Sequence, residues 1–278
     1  MKVFVAGGSG AMGRRLVPRL VAEGYEVAAM TRDAGKAPWL SAVGAQPVTA
    51  DALDRAAVLA AVAGAAPEVV IHQLTALSGV GNLKQFDREF ALTNRLRTEG
   101  TDYLLEGARA AGARRFIAQS YGNWNYARTG TGLKTEQDPF DATPPARQRQ
   151  SLAAIRYVES AVTGAEGIEG IALRYGNFYG PGTGFAADGD MVARIRKRRF
   201  PIVGTGRASG RSCTWTTRRP RPSPRSGTAA PACTTWPTTS RCRCRCGCRC
   251  WLRRLAPSLR CGCRYGWDGW PQARSGCR

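Results

Sequence analysis

The first 206 residues of this 278-residue chain contain no cysteine, and the whole chain has a single histidine, His72. Thiol redox chemistry is therefore excluded from that stretch, and one imidazole without an acidic cluster builds no metal site. No apolar run approaches the length of a membrane span, and the N-terminus lacks the layout of a secretory leader. These absences give the expectation of a soluble, cytoplasmic protein with no membrane partner. Beyond residue 206 other things are missing: residues 207–278 have no lysine and one acid, Asp268, against 16 arginines, and all ten cysteines lie there. Residues 1–206 carry 25 basic and 19 acidic side chains, a net of +6, so most of the formal +21 belongs to the tail. A uniformly basic nucleic-acid protein is thereby excluded.

What the first segment does contain is an alternation of strand and helix signals. Strands are expected at residues 2–6, 25–30, 47–50, 68–73, 115–120 and 170–174. Helices are expected from the glycine loop to about Glu23, near 35–43, and at 53–63, 87–111 and 149–162, with Gly24 placed to end the first. Strands separated by helices of this length imply a doubly wound α/β fold, a parallel Rossmann-type sheet covered on both faces. Ligands bind such a sheet at the carboxyl ends of its strands.

The first strand runs directly into Gly7-Gly8-Ser9-Gly10-Ala11-Met12-Gly13, which opens a helix. A glycine cluster alone signals a turn, but this strand–helix context is what a dinucleotide site requires. Gly7, Gly10 and Gly13 permit a tight turn, close approach of a pyrophosphate and close helix packing. Ser9, Ala11 and Met12 complete the loop whose amides face the phosphates. An acid ending the second strand would bind a ribose 2′-hydroxyl, whereas a cation would pair with a 2′-phosphate. The chain has Met30-Thr31-Arg32 there, which favours NADP over NAD, although Arg32 also reads as an exposed loop cation beside Asp33.

Together these residues resemble the extended short-chain dehydrogenase/reductase family, of the NAD-dependent epimerase/dehydratase type. The matching pieces are residues 6–13, Asp51-Ala52-Leu53-Asp54, Val69-Val70-Ile71-His72, Asn94 with residues 100–106, and the run Leu173-Arg174-Tyr175-Gly176-Asn177-Phe178 continuing to Gly182. The resemblance implies that Asp51 and Ala52 lie near the adenine and that residues 72–75, including Leu74, flank the ribose. It implies that Asn94 supports the central helix and counts among the cofactor-binding residues, and that Tyr175 lies beside the nicotinamide and substrate. It also implies a small carbonyl, alcohol or nucleotide-sugar substrate and pairing into a homodimer.

The family's proton-exchanging dyad is a tyrosine with a lysine four residues later and a glutamate four beyond that. A phenol made acidic by a neighbouring ammonium exchanges a proton during hydride transfer. Counting back from Glu159 places Ile155 at the lysine position and Ser151 at the tyrosine, and no tyrosine in the chain has a lysine four residues on. Ser120, Tyr121 and Tyr126, after the fifth strand, are the candidate hydroxyls, with Arg156 a candidate charge. Each reads equally as a structural polar group. The leading function is an NAD(P)-dependent oxidoreductase or epimerase-like enzyme, and the alternative is a non-catalytic NADP-binding sensor.

The tail contains Arg241-Cys242-Arg243-Cys244-Arg245-Cys246-Gly247-Cys248-Arg249-Cys250. Cysteines at every second position of an extended chain point to alternate sides and suit neither a zinc site nor a small oxidised module. A nonspecific nucleic-acid arm is the bland reading of the arginines. A third reading comes from pairing each residue's third codon base with the next residue's first two. Trp215-Thr216 then forces Asp, Trp236-Pro237 forces Ala, and Cys213-Thr214 allows only His or Tyr. Permitted choices across residues 207–219 spell Gly-Val-Trp-Ser-Phe-Val-His-Val-Asp-Asp-Ala-Ala, similar to the family's segment after the sixth strand. The expectation is a dinucleotide-binding domain over 1–206 and an out-of-frame, disordered tail over 207–278, following a net loss of one nucleotide (or gain of two) near residues 204–207.

Overall fold

The computed structural model describes residues 1–77, 80, 83–127, 129 and 134–197, with the backbone of 212–214. The chain divides into two compact units, the first running Met1–Gly176 and the second beginning at Asn177. In the first unit, β1 (Lys2–Ala6), β2 (Glu26–Thr31), β3 (Gln46–Thr49), β4 (Val69–His72), β5 (Arg115–Tyr121) and β6 (Glu169–Tyr175) form one sheet in the order β3-β2-β1-β4-β5-β6. Every neighbouring pair is parallel. β1 and β4, covered on both faces, are continuous apolar runs, as central parallel strands must be. Pro47, which has no N–H to donate, sits on the edge strand β3, where the ladder tolerates it.

Two apolar layers enclose the sheet. Phe4, Val70, Phe116, Leu104 and Val158 belong to one, with α3 (Arg55–Ala65), α6 (Glu99–Ala110) and α7 (Arg149–Thr163). Val3, Val5, Ile71, Leu16, Leu20 and Leu40 belong to the other, with α1 (Gly13–Ala22) and α2 (Ala37–Ala42). Local chemistry fixes the helix ends. Asp54 accepts from the Ala57 amide at 3.1 Å and caps α3. Gly24, at φ +82°, ends α1 as expected.

The helix expected over 87–111 is instead three pieces: α4 (Phe86–Glu89), α5 (Ala91–Arg97) and α6. The second break falls at Thr98, with φ −100° and ψ −86°. There the Thr98 hydroxyl donates to the Asn94 and Arg95 carbonyls at 3.1 and 3.3 Å, and the Thr101 hydroxyl donates to Arg97 at 2.7 Å. Hydroxyls that compete for backbone carbonyls bend a helix. The bend lets α5 pack on α7 while α6 packs on α3.

In the second unit, β7 (Asn177–Tyr179) pairs in parallel with β8 (Ser212–Thr214), and α8 spans Asp190–Arg196. Apart from β8, the expected disordered segment 207–278 lies outside the described residues. Among the described residues, no helix is long and apolar enough to cross a membrane.

Ala66, which ends α3 at φ +42°, is the one non-glycine residue with positive φ among the described residues. A Cβ in that region costs roughly 1 kcal/mol, partly offset by the extra unfolded-state freedom of glycine. Ala66→Gly is expected to stabilise the fold by about 0.5 kcal/mol, measured as a higher thermal midpoint.

Candidate cofactor and active site

The winding of the sheet reverses between β1 and β4, which opens a crevice at their carboxyl ends. The register Ala6↔His72 sets the glycine loop against the residues that follow β4. Contact there is backbone to backbone. A Cβ on Gly7 would lie 2.9 Å from the Gln73 carbonyl oxygen, and one on Gly13 would lie 2.2 Å from that of Gly8. The Gly10 amide closes the turn onto the Gly7 carbonyl at 3.1 Å. Helix α1 then starts with no side-chain cap at Met12 and no acid in its first turn. Its positive end is thus left uncompensated beside a cradle that a side chain would fill, which fits a dinucleotide's pyrophosphate.

The other expected cofactor residues lie around this crevice in distinct roles. Ser9 Oγ meets Thr31 Oγ1 at 2.7 Å, tying the loop to the end of β2. Arg32 is exposed beside them, while the Asp33 carboxylate accepts from the Gly35 amide at 3.0 Å and pairs with Lys36 at 3.3 Å. Asp51 caps the Leu53 amide at 2.9 Å, and Ala52 is buried. The Leu74 carbonyl accepts from Gln119 at 3.3 Å. His72 is fully enclosed: its Nδ1 accepts from the Leu74 amide at 3.1 Å and its Nε2 meets the Leu96 carbonyl at 3.2 Å. That pattern fixes the neutral Nε2–H tautomer, and burial pushes its pKa down to about 4.

The two α7 positions that the count back from Glu159 matches to the dyad, Ser151 and Ile155, are both inside the protein. The Ser151 hydroxyl donates to Asp87 at 2.6 Å and accepts from Asn94 Nδ2 at 3.2 Å. The Gln150 and Ser151 amides also donate to Asp87, so this α4 carboxylate holds the start of α7. Ile155 is a core side chain. Asn94, expected at the cofactor, thus links α5 to α7. Of the candidate hydroxyls, Ser120 donates to Glu159 at 2.6 Å, and Arg174 grips the same carboxylate through Nε and Nη2 at 2.8 and 2.7 Å. The Arg174 guanidinium also lies 5.4 Å from the Tyr126 ring and 4.1 Å from that of Phe140. Arg156 donates to the Asp141 carbonyl at 2.6 Å. The Tyr175 carbonyl accepts from the Gly122 amide at 2.8 Å, holding β6 to the chain leaving β5. Tyr121 ends β5, with its ring 6.3 Å from that of Trp124, and burial pushes its phenol up to about 12.

Known proteins share this arrangement. The profile of the NAD dependent epimerase/dehydratase family matches residues 3–209. The chain belongs to that family. It is 46% identical over 210 residues to a 3-diazoavenalumate denitrifying reductase from a Streptomyces species, a match covering 74% of this chain and 66% of the relative. A 2-alkyl-3-oxoalkanoate reductase of Stenotrophomonas maltophilia (strain K279a) is 28% identical over 214 residues, covering 74% of this chain and 59% of that one. The chain therefore spans about two thirds or less of the length of these relatives. Among solved structures, UDP-glucose 4-epimerase of Thermus thermophilus in complex with NAD is 27% identical, with a TM-score of 0.54 over 68% of this chain and 59% of that one. UDP-glucose 4-epimerase of Thermotoga maritima has a TM-score of 0.60 at 21% identity, covering 77% of this chain and 69% of that one, and shares the fold.

One residue that sequence reasoning missed is Arg97. On α5 it looks like any helical arginine, yet it is 7% exposed and its Nε has no hydrogen-bond partner. Both amide atoms of Gln73 and the Oδ1 of Asn94 are likewise buried without partners.

Two outcomes test these assignments. Glu159→Ala strands a mostly buried guanidinium and is expected to cost about 3 kcal/mol. Ser120→Ala removes one hydrogen bond to a charged group and costs about 1.5 kcal/mol, both read from urea midpoints. For His72, the unfolded chain takes up a proton below pH 6.5 that the native state refuses until about pH 4. Its contribution is thus fully present above pH 6.5 and is lost as the pH falls towards 4. That loss is on the order of 3 kcal/mol, and the slope across this window should flatten in His72→Gln.

Proposed function

We propose that the protein is an NADPH-dependent reductase of a small diazo carboxylic acid, placing a hydride on the carbon that loses nitrogen. What supports this reading is that the two α7 positions that a count back from Glu159 assigns to the dyad hold a buried, hydrogen-bonded Ser151 and a core Ile155. Carbonyl reduction consumes a proton as well as a hydride, and the phenol–ammonium pair exists to manage that proton. A diazonium carbon needs none. A C–H bond forms from the hydride, the C–N bond breaks, and its electron pair departs with dinitrogen. The identity with a denitrifying reductase of a diazo acid supports the same chemistry.

The nicotinamide, when bound, supplies the hydride. The chain's own residues bind and orient. The uncapped start of α1 receives the pyrophosphate, and exposed Arg32, with no acid ending β2, suits a 2′-phosphate. Among the candidate hydroxyls, that of Ser120 is committed to Glu159 and that of Tyr121 is hydrogen-bonded with Asn123.

The test supplies NADPH deuterated at the transferring position together with 3-diazo-4-hydroxycinnamate. One dinitrogen per NADPH oxidised is expected, with deuterium at the carbon that carried nitrogen. Oxidation only with a 3-oxo acid, without gas release, would overturn the reading. Arg32→Ala should weaken NADPH about tenfold, one lost charge-assisted contact, and leave NADH unchanged in a direct binding titration.

The frame change near residues 204–207 is also our proposal. The family match ending at residue 209 supports it. Sequencing the gene across the Gly206 codon decides it: an intact frame with no family-like overlapping reading sinks the idea.

A further inference from the structure

Gln73, Asn94 and Arg97, at the exit of β4 and on α5, each keep a buried polar atom without a hydrogen-bond partner. Gln73 directly follows β4 and keeps both amide atoms buried and unbonded. Tyr121 ends β5. Arg97 and Asn94 come from one face of α5, three residues apart. His72 Nε2 meets the Leu96 carbonyl at 3.2 Å and the Ala76 amide donates to the Thr93 hydroxyl at 3.1 Å, which sets the part of α5 that carries Arg97 against the end of β4. Arg97 is more than nine-tenths buried and makes no ion pair among the described residues. A buried cation without an anion is costly, and a native site tolerates one where a ligand brings the countercharge.

We propose that Arg97 is the carboxylate anchor of the substrate site, its planar fork taking both oxygens of a small carboxylic acid, with the Gln73 amide as an added donor. The phosphates are served elsewhere, at the start of α1 beside β1. That strand is two places from β5, roughly 10 Å at ordinary strand spacing. A guanidinium matches a carboxylate through two parallel N–H bonds. The inference rests on the reductase reading for its substrate class. Both relatives are named for carboxylates, an avenalumate and an oxoalkanoate.

The experiment is calorimetric titration of the full chain, saturated with NADPH, using 4-hydroxycinnamate and its neutral amide as probes. The wild-type protein should bind the carboxylate at least tenfold more tightly than the amide. Arg97→Gln should abolish that preference, and Arg97→Lys should retain part of it. NADPH affinity should stay within twofold in both variants. Removing an unpaired buried charge does not threaten folding, and Arg97→Lys keeps the charge as a second check. Three results overturn the proposal: no carboxylate preference in the wild type, an unchanged preference in Arg97→Gln, or an NADPH affinity that falls in step with the carboxylate's. Because no turnover is needed, failure here leaves the hydride-transfer reading standing, and failed NADPH oxidation leaves the carboxylate binding standing.

Discussion

The carboxyl edge of the sheet depends on backbone meeting backbone with no side chain between. The Gly13 Cα packs where any Cβ would lie 2.2 Å from the Gly8 carbonyl, and Gly7 sits against Gln73 with similar lack of room. These contacts set how closely α1 approaches β1 and β4, and hence where the open end of the helix dipole points. They also explain why the crevice lies between β1 and β4. That is the only place in the order β3-β2-β1-β4-β5-β6 where consecutive crossovers leave on opposite sides of the sheet. The chemistry proposed for Arg32 presupposes this placement, because that residue lies at a strand end beside the crevice.

A second constraint works one layer away. Glu159 on α7 receives hydrogen bonds from Ser120 on β5 and from Arg174 on β6, so one carboxylate joins a helix to two neighbouring strands. Arg174 in turn covers the rings of Tyr126 and Phe140, carrying the restraint into the loop after β5. The Ser120 hydroxyl is therefore engaged in holding the fold together.

The three candidate hydroxyls read alike in the sequence, and strand periodicity accounts for the burial of Ser120. Phe116, Ala118 and Ser120 share one face of β5, and the first two belong to the core layer under α7. Strand positions and the glycine loop were legible because parallel strands are short, apolar and punctuated by glycine. The helix break at Thr98 was not, since its cause is hydroxyls competing for carbonyls inside an otherwise continuous helical pattern. Asp87 holding Ser151 joins residues 64 apart in the chain, beyond the reach of any local pattern. Arg97 was invisible for the opposite reason: arginine is an ordinary surface helix residue, and only tertiary packing shows that this one is enclosed.

In the proposed reading, Ser151 and Ile155 on α7 and the buried Arg97 on α5 are physically coupled. In a site that must deliver a proton, a buried phenol needs a nearby fixed ammonium, and the helix carrying both must present them to the cofactor. In the proposed reaction the acceptor carbon keeps the hydride and sheds dinitrogen with the C–N electron pair, so that demand lapses and α7 is free to turn those positions to other uses. Ser151 then ties α7 to α4 through Asp87 and to α5 through Asn94, while Ile155 fills the core. Yet a crevice stripped of its lysine would have no cation to orient an anionic substrate over the cofactor. In the proposed reading Arg97 supplies that positive charge from α5. It does so with a fork that fixes an angle as well as a distance, which is what aiming a hydride at one carbon requires.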